Sequence, residues 1–191
     1  MKLSQRFCVL LLMQSFLLLA ALGLAQDLTQ WEAHGVKLGR TEYRGKPALQ
    51  VLALPGVPNG ESYAVLRGSD FGDGVIEVEL AGLPGAGASA TARGFVGLAF
   101  RLADGRFEYI YLRPTNGRAE DQVRRNHSTQ YSSHPDYDFA RLRREEPEKY
   151  ESYVDLEPGA WTRVKIEVKG DQARLYVHGA AQPCLIVNGL K

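Results

Sequence analysis

Short runs in which apolar and polar residues alternate are the feature that most limits what this chain can fold into. From Val164 to Val168 every second residue is apolar, and the residues between them are charged. Successive side chains of a β-strand point to opposite faces, so this pattern predicts strands with one buried and one wet face. The predicted strands cover 48–54, 62–67, 74–80, 94–102, 106–113, 161–169, 172–178 and 184–187.

Two dipeptides between these runs predict tight turns. Asp104-Gly105 and Gly170-Asp171 each join two alternating segments, and both contain residues that tolerate the positive φ a hairpin turn requires. No helical pattern alternates with the strands. The sequence therefore predicts one all-β domain, an antiparallel β-sandwich, rather than a parallel α/β fold.

The N-terminus has the pattern of a signal peptide. Lys2 and Arg6 precede an apolar run over 7–22, and the small residue Ala25 is followed by Gln26. The run is too short and too interrupted for a transmembrane anchor. We expect cleavage between Ala25 and Gln26, a secreted or periplasmic protein, and no membrane contact after cleavage.

Removal of the signal peptide 1–25 would leave a nearly neutral single domain, 26–191. It takes away two of the 23 basic residues and none of the 22 acidic ones, a balance that argues against a nucleic-acid partner. Cys8 would leave as well, so Cys184 is the only cysteine of the mature chain. No intramolecular disulfide can form there, and stability must come from a packed core.

The strand predicted over 106–113 has an unusual face. Tyr109, Tyr111 and Arg113 share that face with Phe107. Such a face would suit a carbohydrate groove, because aromatic rings stack on sugar rings and a guanidinium binds hydroxyls or a carboxylate. The alternative is that the tyrosines pack beneath a covering loop.

A covering loop is predicted over 114–160, where alternation stops and charged, tyrosine and histidine residues become dense. A connection of this length in a compact domain is usually functional. Asp138 is expected to cap a short helix over 139–146, which Pro147 ends. The insertion should pack over one face or mouth of the sandwich.

The insertion and the strand before it supply the candidate site residues. If the protein is an enzyme, His127 or His134 would be a base, with Asp121 or Asp136 as its partner or as a metal ligand. The histidine spacing matches no strong zinc motif, so no cofactor is predicted, with a divalent metal as the alternative. The predicted ligand-binding residues are Tyr109, Tyr111, Arg113, Asn116, Arg118, Arg125, Asn126 and Tyr131.

Three stretches, 74–80, 94–113 and 161–179, carry a resemblance to a known superfamily. The last reads WTRVKIEVKGDQARLYVHG and ends in a "YVNG"-like turn with His178 in place of asparagine. Together they resemble the concanavalin A-like lectin/glucanase (laminin G-like) jelly-roll superfamily. They are also similar to bacterial secreted proteins grouped with the 3-keto-disaccharide hydrolase family, often named as glycosyl hydrolases. The resemblance covers most of 48–187 and implies a jelly roll with a carbohydrate ligand.

The chain departs from this superfamily in two respects. Glycoside hydrolases of the superfamily carry a Glu-x-Asp-x-x-Glu-like signature, which this chain lacks. The pair closest to it, Glu77 and Glu79, is expected to lie on an ordinary solvated face of its strand. Related sandwiches also continue with two more strands beyond the equivalent of 184–187. The resemblance thus implies missing C-terminal strands and an open edge or core face, which would favour an oligomer or a strand-swapped dimer. The alternative is a shorter sandwich closed by 27–47.

Three functions follow from these observations. The first is a binding module for a polysaccharide or glycoconjugate, favoured by the absence of a carboxylate pair. The second is a sugar-cleaving hydrolase or lyase, favoured by the resemblance. The third is a structural or protein-interaction module at the cell surface, since this fold hosts many activities.

Overall fold

Two antiparallel sheets of seven strands make up the protein in the computed structural model, which describes residues 6–11, 16–20, 27–58 and 60–191. In spatial order the first sheet contains β11 (Glu151–Ser152), β10 (Thr129–His134), β9 (Arg106–Leu112), β8 (Val96–Ala103), β1 (Arg6–Leu11), β6 (Ser62–Leu66) and β3 (Trp31–His34). The second contains β14 (Leu185–Asn188), β13 (Gln172–Val177), β12 (Thr162–Lys169), β7 (Gly74–Ala81), β2 (Phe16–Ala20), β5 (Lys46–Ala53) and β4 (Val36–Tyr43). Two short α-helices, α1 (Gln122–Asn126) and α2 (Phe139–Glu145), and the 3-10 turns Leu28–Gln30 and Pro114–Asn116 lie between strands.

One apolar core fills the space between the sheets. Leu98 and Ile110 of the first sheet belong to the same buried cluster as Leu49, Ile166 and Leu175 of the second. Burying each such side chain contributes about 1.5–3 kcal/mol relative to exposure. The predicted all-β antiparallel sandwich is confirmed at this level.

All eight predicted strands are present, with their ends shifted by at most two residues. Both predicted hairpins are also present. Asp104 and Gly105 have φ of 51° and 72° between β8 and β9, and Gly170 has φ 57° between β12 and β13. The alternation of β12 is confirmed too, because Val164, Ile166 and Val168 are all buried.

Six further described strands were not predicted: β1 and β2, which lie in the expected signal peptide, and β3, β4, β10 and β11. Two of them, β10 and β11, belong to the insertion 114–160 and extend the first sheet beyond β9. The insertion is therefore part of the sandwich as well as a cover for it. The strands β3 and β4 lie at the ends of the two sheets, so residues 27–47 supply one edge to each.

The strands β1 and β2 occupy central positions in the two sheets. β1 pairs with β6 and β8, and β2 pairs with β5 and β7. The predicted cleavage site between Ala25 and Gln26 lies outside the described residues. Loss of residues 1–25 would remove one strand from the middle of each sheet.

The described helices are short. α1 has five residues and α2 has seven. Neither has the length and hydropathy that a bilayer-spanning segment needs, and the same holds for every helix in the described part of the chain.

Candidate functional site

A cavity of about 740 Å³ lies on the face of the first sheet that points away from the core. Its floor comes from β9, and its walls come from the loop before β8 and from the insertion. Seven candidate residues from the sequence line it: Tyr109, Tyr111, Arg113, Asn116, Asp121, His127 and His134. Five important lining residues were not among the candidates: Arg93, Phe95, Arg124, Phe139 and Arg143.

The floor of the cavity is aromatic. The rings of Tyr109 and Tyr111 stack with their centroids 5.7 Å apart, and Phe95 meets Tyr111 edge-on at 5.5 Å. Both tyrosines line the cavity although they are largely buried. Burial raises the pKa of both hydroxyls, so they are neutral at physiological pH. The tyrosines thus lie beneath the insertion and also border open space.

The aromatic surface continues past the cavity along the same sheet. Phe107 stacks on His134 at 4.8 Å and meets Tyr63 at 5.3 Å, and Tyr63 stacks on His34 at 4.7 Å. Phe107 also contacts Tyr109 at 5.6 Å. A continuous row of rings therefore leads from the edge strand β3 to the cavity.

Arg113 is buried and connects the residues of the cavity floor through hydrogen bonds. Its Nη1 donates to Glu151 at 2.8 Å and to the carbonyl of His127 at 3.1 Å. Its Nη2 donates to the hydroxyl of Tyr111 at 2.9 Å and to Gln130 at 3.0 Å. Because both Nη groups are occupied by protein acceptors, Arg113 positions the site rather than offering free donors to a ligand.

Glu151 is the acidic centre of this network. Its buried carboxylate accepts hydrogen bonds from both Arg113 and Arg143. Burial acts to raise the pKa of this carboxyl, but the hydrogen bonds and charges of the two guanidiniums outweigh it and lower the pKa. Glu151 therefore stays ionised beneath the cavity.

His127 lies beside the same carboxylate, with its Nε2 3.7 Å from Glu151. Burial lowers the pKa of His127, and the attraction of Glu151 only partly opposes this while Arg143 and Arg113 add to it. Burial likewise lowers the pKa of His134. Both imidazoles are therefore neutral near pH 7, the form in which a histidine accepts a proton.

The structure does not bring the predicted acid–base pairs together. Asp121 caps α1 by accepting from the amide of Arg124 at 3.2 Å, and Asp136 accepts from Arg106 at 2.6 Å. Within residues 27–58 and 60–191, neither His127 nor His134 is hydrogen-bonded to either aspartate. The carboxylate nearest His127 in this network is Glu151, which the sequence analysis did not single out.

Four predicted binding residues lie outside the cavity. Arg118 pairs with Asp155 at 2.8 Å on the surface, and Arg125 donates to backbone carbonyls within the insertion. Asn126 is exposed at the end of α1. Tyr131 points to the opposite face of the sheet, where it is fully buried and donates to Glu108.

Two glycines fix the loops that form the cavity walls. Gly94 has φ +66°, and a Cβ there would lie 2.9 Å from the Cα of Leu83. This conformation is open to glycine and costly for other residues. It therefore fixes the position of the neighbouring Arg93 in the loop before β8. At Gly117 a Cβ would lie 2.3 Å from the backbone nitrogen of Leu156, which keeps the start of the insertion in close contact with its end.

In the described part of the chain, no group of three or more His, Cys, Asp and Glu side chains is placed to hold a metal ion. Cys184 is half-buried, donates weakly to the carbonyl of Leu175, and has a pKa raised to about 11 by burial. It is therefore a protonated packing residue.

No family model, curated protein or solved structure matches this chain. The resemblance to the concanavalin A-like superfamily thus stays a prediction from the sequence.

Proposed function

We propose that this protein is an exported carbohydrate-binding module of the jelly-roll type, which holds part of a polysaccharide or glycoconjugate in the cavity above β9. The stacked pair Tyr109 and Tyr111 on the cavity floor is the observation that carries the proposal. Aromatic surface beneath a polar wall suits a sugar ring, which has apolar C–H faces and a rim of hydroxyls.

The dimensions and surroundings of the cavity support this proposal. Its volume of about 740 Å³ lies within the range of roughly 300–1,000 Å³ usual for small-molecule pockets. Guanidinium groups from Arg93 and Arg124 stand in its walls as donors for hydroxyls. The aromatic row toward His34 offers further stacking surface for a longer glycan.

The jelly-roll and export components of the proposal have their own support. Two antiparallel sheets pack on one core, and the turn at His178-Gly179 has positive φ at both residues, as a tight "YVNG"-like turn requires. The signal-like N-terminus supports export.

Replacement of the stacking ring provides a direct test. We expect Tyr109→Ala to weaken binding of a bound oligosaccharide about tenfold, since an aromatic contact contributes roughly 0.5–1.5 kcal/mol beyond its buried area. Tyr109→Phe should keep most of the affinity, because it preserves the ring. Isothermal titration of the full chain with each variant measures both effects.

The matched control is Tyr153→Ala, which removes an exposed tyrosine that does not line the cavity. Thermal melting of every variant separates loss of binding from loss of folding. Equal affinity of Tyr109→Ala and the wild-type chain would exclude the cavity floor as the binding surface.

A sugar-cleaving hydrolase or lyase is the second candidate function. It is favoured by His127, a neutral imidazole that lines the cavity 3.7 Å from the buried carboxylate of Glu151. A carboxylate that orients a histidine is a common element of acid–base sites. In this alternative His127 would be the base and Glu151 its positioning residue, and release of product from a bound glycan would distinguish it from binding alone.

A further inference from the structure

The walls of the cavity carry more positive than negative charge. Four guanidinium groups line it, compared with two carboxylates. The guanidiniums belong to Arg93, Arg113, Arg124 and Arg143, and the carboxylates belong to Asp121 and Asp138. A surface of this composition favours an anionic ligand.

The two carboxylates already serve the local structure. Asp121 accepts from the amide of Arg124 at the start of α1, and Asp138 accepts from the amide of Arg141 at the start of α2. Beneath the cavity, the single carboxylate of Glu151 binds two of the guanidiniums, Arg113 and Arg143. This neutralises only part of their charge.

The other two guanidiniums have no acidic partner in the described part of the chain. Within residues 27–58 and 60–191, neither Arg93 nor Arg124 forms a salt bridge, and the side chain of Arg93 forms no hydrogen bond. Arg124 is held by neutral acceptors, the side chain of Asn116 at 3.0 Å and the carbonyl of Thr115 at 3.0 Å. Arg124 is thus fixed in place with its charge uncompensated.

The two groups also influence each other. Burial lowers the pKa of Arg93, and the positive charges of Arg124 and Arg113 lower it further. Like charges held together in a half-buried wall repel, and a bound anion would relieve that repulsion. The half-buried position of Arg93 also strengthens its attraction for an anion relative to open solvent.

We propose that the cavity selects an acidic glycan, whose carboxylate is bound by Arg93 and Arg124 while its ring lies over Tyr109. This inference rests on the proposed carbohydrate-binding function and names the class of sugar. A planar carboxylate matches the fork of a guanidinium, which favours a uronic acid. A sulfate ester offers the same oxyanion chemistry and is compared in the experiment.

The test uses trigalacturonate and its methyl ester, which have the same shape but differ in charge. We expect the full chain to bind the acid at least roughly tenfold more tightly than the ester at fixed ionic strength. Arg93→Gln should remove most of this preference, because it weakens binding of the acid far more than binding of the ester. Arg93→Lys keeps the positive charge but lacks the paired donors of a guanidinium, so it should retain part of the preference for the acid.

The matched control is Arg144→Gln, an exposed arginine that does not line the cavity. It should leave both affinities unchanged.

The full chain could bind a sulfated oligosaccharide more tightly than trigalacturonate and lose that binding in Arg93→Gln. This result would assign the same arginines to a sulfate ester and overturn the uronic acid assignment. Equal affinity for acid and ester would overturn the acidic-glycan inference and leave carbohydrate binding standing. Failure of the acid, the ester, the sulfated sugar and a panel of neutral oligosaccharides to bind would overturn both proposals.

Discussion

Glu151→Ala is expected to lower the free energy of unfolding by about 3–5 kcal/mol, because it leaves a buried guanidinium without its counter-ion. The side chain of Glu151 is 3% exposed and that of Arg113 is 6% exposed, so the pair is largely shielded from water. Arg143 loses the same carboxylate. Chemical denaturation of the variant and the wild-type chain measures the difference.

Glu151→Gln separates charge from volume, since it keeps the shape of the side chain and removes its charge. We expect most of the loss to persist in this variant. The surface control is Glu157→Ala, which breaks an exposed pair with Arg118 and should change the free energy of unfolding only slightly. A loss at Glu151 as small as that at Glu157 would contradict the role of the buried network in organising the cavity.

Removal of residues 1–25 is expected to abolish cooperative unfolding. The deletion takes β1 from between β6 and β8, and β2 from between β5 and β7. Each sheet is then split into two parts with unpaired backbone groups and an uncovered stretch of core. Gln26–Lys191 should bind an apolar-surface dye and melt without a sharp transition, whereas the full chain melts cooperatively.

The assembly state of Gln26–Lys191 adds a second readout. A dimer with restored cooperativity would indicate strands exchanged between copies, the arrangement expected for an open sandwich. A cooperative monomer free of dye would contradict the requirement for β1 and β2, and would indicate that β6 pairs directly with β8 and β5 with β7. Loss of folding in Gln26–Lys191 would mean that the proposed export takes place without cleavage after Ala25.

The strand β12 was predictable because it has one wet face. In β12, Arg163 is exposed between buried neighbours, so the alternation is visible in the residue types. In β10 the residue types do not alternate, because both faces of the strand are covered. Gln130 and Ser132 face the insertion and are as buried as Tyr131, which faces the core. Polar residues packed on both faces leave no period-two signal.

The site was only partly predictable for a related reason. Tyr109 and Tyr111 were found because they are two residues apart on one strand. Asp138 was found as a helix cap because capping is local in sequence, and it does accept from the amide of Arg141. Arg93 and Arg143 reach the cavity from separate loops and helices, so only tertiary structure joins them to β9.

The predicted histidine–aspartate pairs failed for the same reason, because their contacts depend on tertiary structure. Asp136 is two residues from His134 in sequence, yet its carboxylate binds Arg106. Glu151 lies 24 residues beyond His127 in sequence, yet it is within 3.7 Å of it, because the pairing of β10 with β11 brings the segments together. Sequence proximity identified the region of the site and not its contacts.

The most direct test of the proposed function is a titration of the full chain with a panel of neutral and acidic oligosaccharides. It would be run with and without added divalent metal, with product analysis for every sugar that binds. We predict saturable binding of at least one sugar that is weakened in Tyr109→Ala, with no product released. Product formation would instead support the enzyme built around His127, and the absence of binding to any sugar would contradict a carbohydrate function for this cavity.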